Sequence, residues 1–323
     1  MNSIERVSLG FIMALLALLE IILWIVLWSM CKRKPLESAE VMQEKITAKS
    51  YPLTAIDSAT DAFNPRRVIA KGRISTMYEA TMADGELVVV KRIHPSLVLM
   101  NGGLGFSTIV KKLSTASHPN IVSILGFSQW PGERIIVMER VASFVSLHQY
   151  LHEKVLVPPN EWSLRLKIAA GAARGLQYLH ESIIPNIVHG SVKSSHVLLD
   201  DELTAKVSGY GLWFLAPQEK KKAEGYEEPC KESDVYGFGV ILLEILTGRR
   251  DEDGRLVNWA LPLIRGRNLD EVLDPRLTLT KNSSQAARFA KVASSCVSNS
   301  RETRPTIGQV TSILTDLEGC LDA

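Results

Sequence analysis

Two short stretches concentrate the side chains capable of chemistry: His189-Gly190-Ser191-Val192-Lys193-Ser194-Ser195-His196 and Lys206-Val207-Ser208-Gly209-Tyr210-Gly211. They offer imidazoles, hydroxyls and ammonium groups, but not one carboxylate or carboxamide. A serine hydroxyl such as that of Ser191 is a poor base at neutral pH. Mg²⁺ prefers oxygen ligands and accepts imidazole poorly, and Gly209 has no side chain to offer. His189 and His196 leave two readings open, a metal-ligating pair or a structural role. Lys91 ends the apolar run Val88-Val89-Val90. Its ammonium either meets a phosphate or ends a stem that packs along the strand and reaches solvent. Cys31, Cys230, Cys296 and Cys320 show no C-x-x-C spacing, so neither a zinc site nor a disulfide framework is indicated.

The elements that must position these groups fall into a strand-rich part and a helix-rich part. Thr54-x-x-Asp57 has the form of a helix N-cap, and predicts a short helix over Ala55–Ala62. After Pro65, Val68-Ile69, Thr76–Thr81 and Leu87–Ile93 run or alternate as strands, with Asp84-Gly85 as a hairpin turn. A helix is predicted over 105–116, then strands over Ile121–Phe127 and Arg134–Glu139. From Ser146 the spacing becomes helical, with Trp162–His180, Asp234–Leu246 (Gly248 just beyond), Val257–Ile264, Gln285–Cys296 and Thr306–Leu317. Strands followed by helices in this order predict a two-lobe α+β layout.

The chain has 323 residues, a net charge of +2, and 46% hydrophobic residues. That balance gives no argument for nucleic-acid binding. Leu9–Met30 is nearly all apolar and long enough to cross a bilayer as one helix. Lys32-Arg33-Lys34 follows at once, which orients the long C-terminal part to the cytosol. A cleaved signal peptide has a shorter apolar core ending in small residues, whereas this run ends in Trp28 and Met30. The predicted organisation is therefore a short extracytosolic N-terminus (1–8), a transmembrane helix (9–30), a juxtamembrane linker (31–62) and one folded domain (63–320). The carboxyl of Glu20 inside the span suggests pairing with another helix, or is one tolerated protonated group. Cys31 beside the basic cluster is either a palmitoylation site or a free thiol.

Several ordered motifs together give the chain a family resemblance. Ala55-Ile56-Asp57-Ser58-Ala59-Thr60-Asp61-Ala62-Phe63 resembles the lead-in to the kinase domain of plant receptor-like kinases. Arg92-Ile93-His94-Pro95, Ile124-Leu125-Gly126-Phe127 and Pro131–Glu139 are most similar to the crinkly-related branch. The resemblance runs from about Tyr51 to Leu317. Within it, residues 189–196 occupy the frame H-R-D-L-x-x-x-N and 209–211 the frame D-F-G. Ser191 then stands where the catalytic Asp belongs, His196 replaces the metal-binding Asn, and Gly209 replaces the metal-binding Asp. In the glycine loop Ala70-Lys71-Gly72-Arg73-Ile74-Ser75 only Gly72 survives. Val88-Val89-Val90-Lys91 matches V-A-I-K, but Ile109 replaces the helix glutamate that should pair with Lys91.

The same resemblance assigns Met77, Val89, Met138 and Leu198 to the nucleotide surroundings. His189, Tyr210 and Leu113 take the positions of the regulatory spine. Asp234 becomes the structural anchor of the catalytic loop, and His189 has a structural position, so no metal is expected at the His pair. Gly190 replaces the arginine that clamps a phosphorylated activation loop, and Gly211–Cys230 holds no Ser or Thr. Arg304 matches the late arginine that pairs with the Glu of A-P-E. Here that motif reads Glu228-Pro229-Cys230, so Arg304 is left to Glu227, Glu228 or water.

The resemblance implies a five-stranded N-lobe sheet plus one helix (about 63–140) and a mainly helical C-lobe (about 141–320), behind the single transmembrane helix. It implies a receptor-like pseudokinase at the plasma membrane, scaffolding or allosterically partnering active receptor-like kinases. No cofactor is required, ATP is expected to bind weakly, and Mg²⁺ is not expected. A weak or metal-independent Ser/Thr kinase and an ATP-binding switch without turnover stand as alternatives.

Overall fold

Val88, Val89 and Val90 send successive side chains to opposite faces of a sheet, and both faces are covered. The computed structural model describes Glu20 and residues 48–100, 105–143, 145–153, 160–215, 228–277 and 283–320. Apart from Glu20, which is helical and exposed, the expected membrane helix lies outside the described residues, as does the linker up to residue 47. Among the described residues no helix is long and apolar enough to cross a membrane. Residues 47–323 form one unit, distinct from residues 1–46.

The first sheet contains β1 (Lys49–Ser50), β2 (Val68–Lys71), β3 (Ser75–Thr81), β4 (Leu87–Ile93), β5 (Ile124–Trp130) and β6 (Glu133–Glu139), in the order β1-β5-β6-β4-β3-β2. All pairings are antiparallel except β1 with β5. The β3–β4 turn closes on Gly85 at φ +87°, with the Glu86 amide donating to Asp84 Oδ1 at 3.1 Å. One face packs Val88 and Val90 with Ile56, Tyr78, Ala80, Ile135 and Val137. The other packs Val89 with Phe106, Val110 and Leu113 of a helix, and continues into the core of the second lobe.

This arrangement corrects several expectations. The sheet has six strands, and the segment 48–62 belongs to it rather than to the linker. Helix α1 (Leu53–Ala59) has Pro52, not Thr54, at its N-cap, and buries Ile56 completely against the sheet. Strand β1 approaches β5 so closely that a Cβ on Gly126 would lie 2.3 Å from the Lys49 carbonyl oxygen and 2.5 Å from the Tyr51 ring. Residues 121–127 are also not one strand. Ile121 bridges to Val207, and the Val122 amide donates to the Val207 carbonyl at 2.9 Å, so this stretch ties the lobes together before β5 begins. The helix at His94-Pro95, α2 (Pro95–Met100), precedes α3 (Phe106–Leu113).

The second lobe carries a small sheet of β7 (Val145–Ser146), β8 (Val197–Leu199) and β9 (Ala205–Val207). Its helices are α4 (Leu147–His152), α5 (Trp162–Gln177), α6 (Lys231–Thr247), α7 (Arg255–Arg265), α8 (Leu269–Val272), α9 (Ser283–Cys296) and α10 (Ile307–Gly319). Helix α6 is apolar on most sides because it is central, with Ile241, Leu242, Leu243, Ile245 and Leu246 fully buried. It stops at Gly248, φ +63°, where the left-handed turn suits glycine. Arg165 of α5 is buried against Asp274, whose carboxylate also takes Arg276.

Candidate functional site

The loop 189–196 is held from below by α6. Asp234 accepts hydrogen bonds from the His189 amide at 2.7 Å, the Gly190 amide at 2.8 Å and His180 Nε2 at 2.9 Å. It is 2% exposed, so a buried charge is matched by three donors. A Cβ on Gly237 would lie 2.7 Å from the Val192 carbonyl oxygen, so the helix and the loop pack backbone to backbone.

Both nitrogens of His189 are engaged. Nε2 donates to the Ser208 carbonyl at 3.0 Å, and Nδ1 accepts from the Ser191 amide at 3.3 Å. Burial pushes its pKa down against the pull of Asp234. The His196 ring stacks on it, with centroids 5.7 Å apart, and donates from Nδ1 to the Ser191 carbonyl at 2.7 Å. Burial, then His189, Lys193 and Lys91, drive the His196 pKa well below the usual range, so the ring is neutral. The pair is thus a stacked structural unit with no nitrogen of His189 left for a metal.

The three positions singled out in the sequence do converge. A Cβ on Gly209 (φ +75°) would sit 3.6 Å from the His196 ring, and Ser191 is exposed beside it. The His196 imidazole and the exposed Ser191 therefore lie together beside Gly209, without a carboxylate among the three. Tyr210 is 1% exposed, with its hydroxyl donating to the Val122 carbonyl at 3.1 Å; Leu113 lies against Gly211.

Lys91 faces this region from β4, between Met77 of β3 and Ile136 of β6 in the strand register. It does not reach solvent: it is 5% exposed. Burial, with Lys193 adding repulsion, lowers its pKa to about 8. Among the described residues no carboxylate pairs with it, and Ile109 on α3 is packed into the core instead. Lys193 is itself shifted down by burial and by Arg73, so cations crowd together here. Gly72 caps the β2–β3 turn, its amide donating to the Ser75 carbonyl at 2.9 Å. Val89, Met138 and Leu198 are 1%, 5% and 7% exposed, so these walls present little surface to a base. Lys206 of β9 reaches Glu139 at the end of β6 at 2.9 Å, an ion pair across the lobes.

Two further features escaped sequence reasoning. A Cβ on Gly190 (φ +76°) would lie 2.5 Å from the Trp213 ring, so an indole fills the space above the loop where a longer side chain would start. Lys193 was visible in the loop, but its crowding with Lys91 depends on the fold. Arg304 is held by backbone carbonyls. Its Nε and Nη1 donate to the carbonyls of Ser298 and Glu232, both at 2.9 Å, and its guanidinium stacks over Tyr236. It lies beside the first turn of α6, where backbone acceptors are nearer than Glu228; Glu227 is outside the described residues.

Residues 63–231 match the family model for protein tyrosine and serine/threonine kinases. Among curated relatives, the receptor-like serine/threonine-protein kinase ALE2 of Arabidopsis thaliana is 36% identical over 83% of this chain and 38% of its own length. The serine/threonine-protein kinase-like protein CCR2 of the same plant is 33% identical over 81% of this chain and 33% of its own. The chain spans about two fifths or less of the length of these relatives. A solved structure of the pseudokinase domain of BIR2, an immune regulator of the RLK/Pelle family, superposes with a TM-score of 0.69 at 28% identity. The match covers 84% of this chain and 87% of that one. The chain belongs to the protein tyrosine and serine/threonine kinase family, and its relatives there are plant receptor-like kinases.

Proposed function

We propose that this chain is a receptor-like pseudokinase of the crinkly-related branch that acts by binding rather than by phosphoryl transfer. The observation that carries the reading is the cluster at Ser191, His196 and Gly209. A neutral imidazole, turned onto the loop backbone, stands where Mg²⁺ would need oxygens. Phosphoryl transfer rests on positioning and metal charge, and loss of a positioned general base alone costs about 10²–10⁴ in rate. The frame around this cluster is kept: Asp234 still orders the loop, and the Lys206–Glu139 pair still spans the lobes. Likeness to the pseudokinase domain of BIR2 supports the same view. The domain would then serve as a docking or allosteric partner for active receptor kinases, held beside them by the N-terminal apolar segment at a plant plasma membrane, where Glu20 assists helix pairing.

The buried Lys91 favours one second reading, a switch that binds nucleotide without turnover. An ammonium without a carboxylate partner, crowded by Lys193, is stabilised by an incoming phosphate. The test is transfer of labelled γ-phosphate by the purified chain, with Lys91→Met beside it, and recovery of receptor kinases bound to the chain in plant membranes. The scaffold reading expects no transfer above the Lys91→Met background and a co-purifying receptor kinase. Transfer abolished by Lys91→Met would establish an unconventional kinase.

A further inference from the structure

Away from the loop cleft, three ligating side chains of the C-lobe converge. His148 and His152 are four residues apart on α4, so they share one face of the helix. The start of α4 is fixed by a capping box of Ser146 and Gln149. Their rings lie edge to face, with centroids 5.0 Å apart. Glu244, three residues from the end of α6, meets them from the other side. One ligand atom from each of the three lies within 4.8 Å of the others.

His152 is the telling member. Its side chain is 10% exposed, and among the described residues its buried Nε2 has no hydrogen-bond partner. It points at Glu244 Oε1 from 3.7 Å, too far for a hydrogen bond. An orphaned buried nitrogen is costly unless something bridges the gap. A dication with metal–ligand bonds of about 2.0–2.1 Å in tetrahedral array holds neighbouring ligand atoms about 3.4 Å apart, close to this separation. Glu244 is already oriented: Oε1 accepts from the Asp251 amide at 3.1 Å, and its carboxylate contacts the Ser194 hydroxyl. Such outer contacts fix a ligating carboxylate. Arg250 adds positive charge nearby, opposed by Glu153.

We propose that His148, His152 and Glu244 form a binding site for a transition-metal dication of the zinc class. Two imidazoles and one carboxylate suit Zn²⁺ and leave a coordination position for water, whereas Mg²⁺ is poorly served by imidazole. The site joins α4 to α6 and, through Ser194, to the turn Ser194–His196 of the degenerate loop. A metal here would brace the loop from beneath with no part in phosphoryl transfer.

The experiment uses the full chain in detergent micelles, purified through a tag without histidine and stripped with EDTA. Zn²⁺ is titrated against a chromophoric chelator, and Co²⁺ is followed by visible absorption. The expected result is one equivalent of Zn²⁺ per chain and a Co²⁺ spectrum of a nitrogen- and oxygen-ligated site of four or five ligands. His148→Ala, at a half-buried position, weakens Zn²⁺ binding more than about tenfold while the metal-free variant melts with the metal-free parent. Lack of stoichiometric binding overturns the proposal. So does binding unchanged by His148→Ala, or a Co²⁺ spectrum dominated by thiolate charge transfer.

Discussion

Lys91 makes the electrostatics of the cleft measurable at the scale of one residue. Its ammonium titrates at 10.5 in a model peptide and at about 8 in the fold. A base whose pKa falls on folding opposes the fold while it is charged. The penalty is complete below about pH 8, shrinks between pH 8 and 10.5, and vanishes above that. A shift of this size corresponds to roughly 3 kcal/mol. Lys91→Met is therefore expected to be more stable than the parent at pH 7 by up to roughly 3 kcal/mol, with the gap closing as pH rises. Denaturant midpoints of the two chains across that pH range check it. The comparison has to be a difference, because burial pushes the Cys296 thiol up to about 12 and costs both chains stability above pH 9. A less stable variant at pH 7 would reveal a counterion for Lys91. Gly190 gives a second test. Gly190→Arg meets the Trp213 ring at φ +76°, and is expected to cost about 2–4 kcal/mol. Adding Trp213→Ala should recover a large part of that loss in a double-mutant cycle, whereas simple additivity would separate the two residues. The residue types at Ser191, His196 and Gly209 were legible because each is a single residue in a recognisable frame, and the structure brings the three together. The crowding around them was not, because Lys193 meets Lys91, and Trp213 meets Gly190, only through the fold.

Among the elements, β1 and α1 alter the picture most. Ile56 is fully buried on the outer face of the sheet, so Ile56→Ala is expected to cost about 2–5 kcal/mol. A chain starting at residue 63 should lose its cooperative unfolding transition, while one starting at 46 keeps it; equal transitions would return 48–62 to the linker. Circular dichroism melts suffice for the comparison. The long elements were readable in the sequence because their apolar residues repeat with a definite period, as in Leu87–Ile93 and Trp162–Gln177. The short ones were not. Lys49-Ser50 has no apolar residue to declare a strand, and β7 to β9 have three residues or fewer. Ile121 looked continuous with β5 because an apolar run does not say which lobe it will join.

For the molecule as a whole, the proposed contrast is between a kept frame and an altered centre. The sheet, α6 and the Asp234 anchor are those of a kinase, while on the proposed reading the described residues at Ser191, His196 and Gly209 bring no carboxylate to the cleft. A scaffold needs that frame and not those carboxylates. Overall layout was legible from the order of strands and helices, and the family from its motifs. The most direct test is thermal unfolding of the full chain in micelles with ATP, comparing Mg²⁺ with EDTA. The account expects no shift that depends on Mg²⁺, because on this reading the His196 imidazole stands where a metal–nucleotide complex requires oxygens. Stabilisation by ATP that appears only with Mg²⁺ would contradict it, and would mean that the cleft still assembles a metal site.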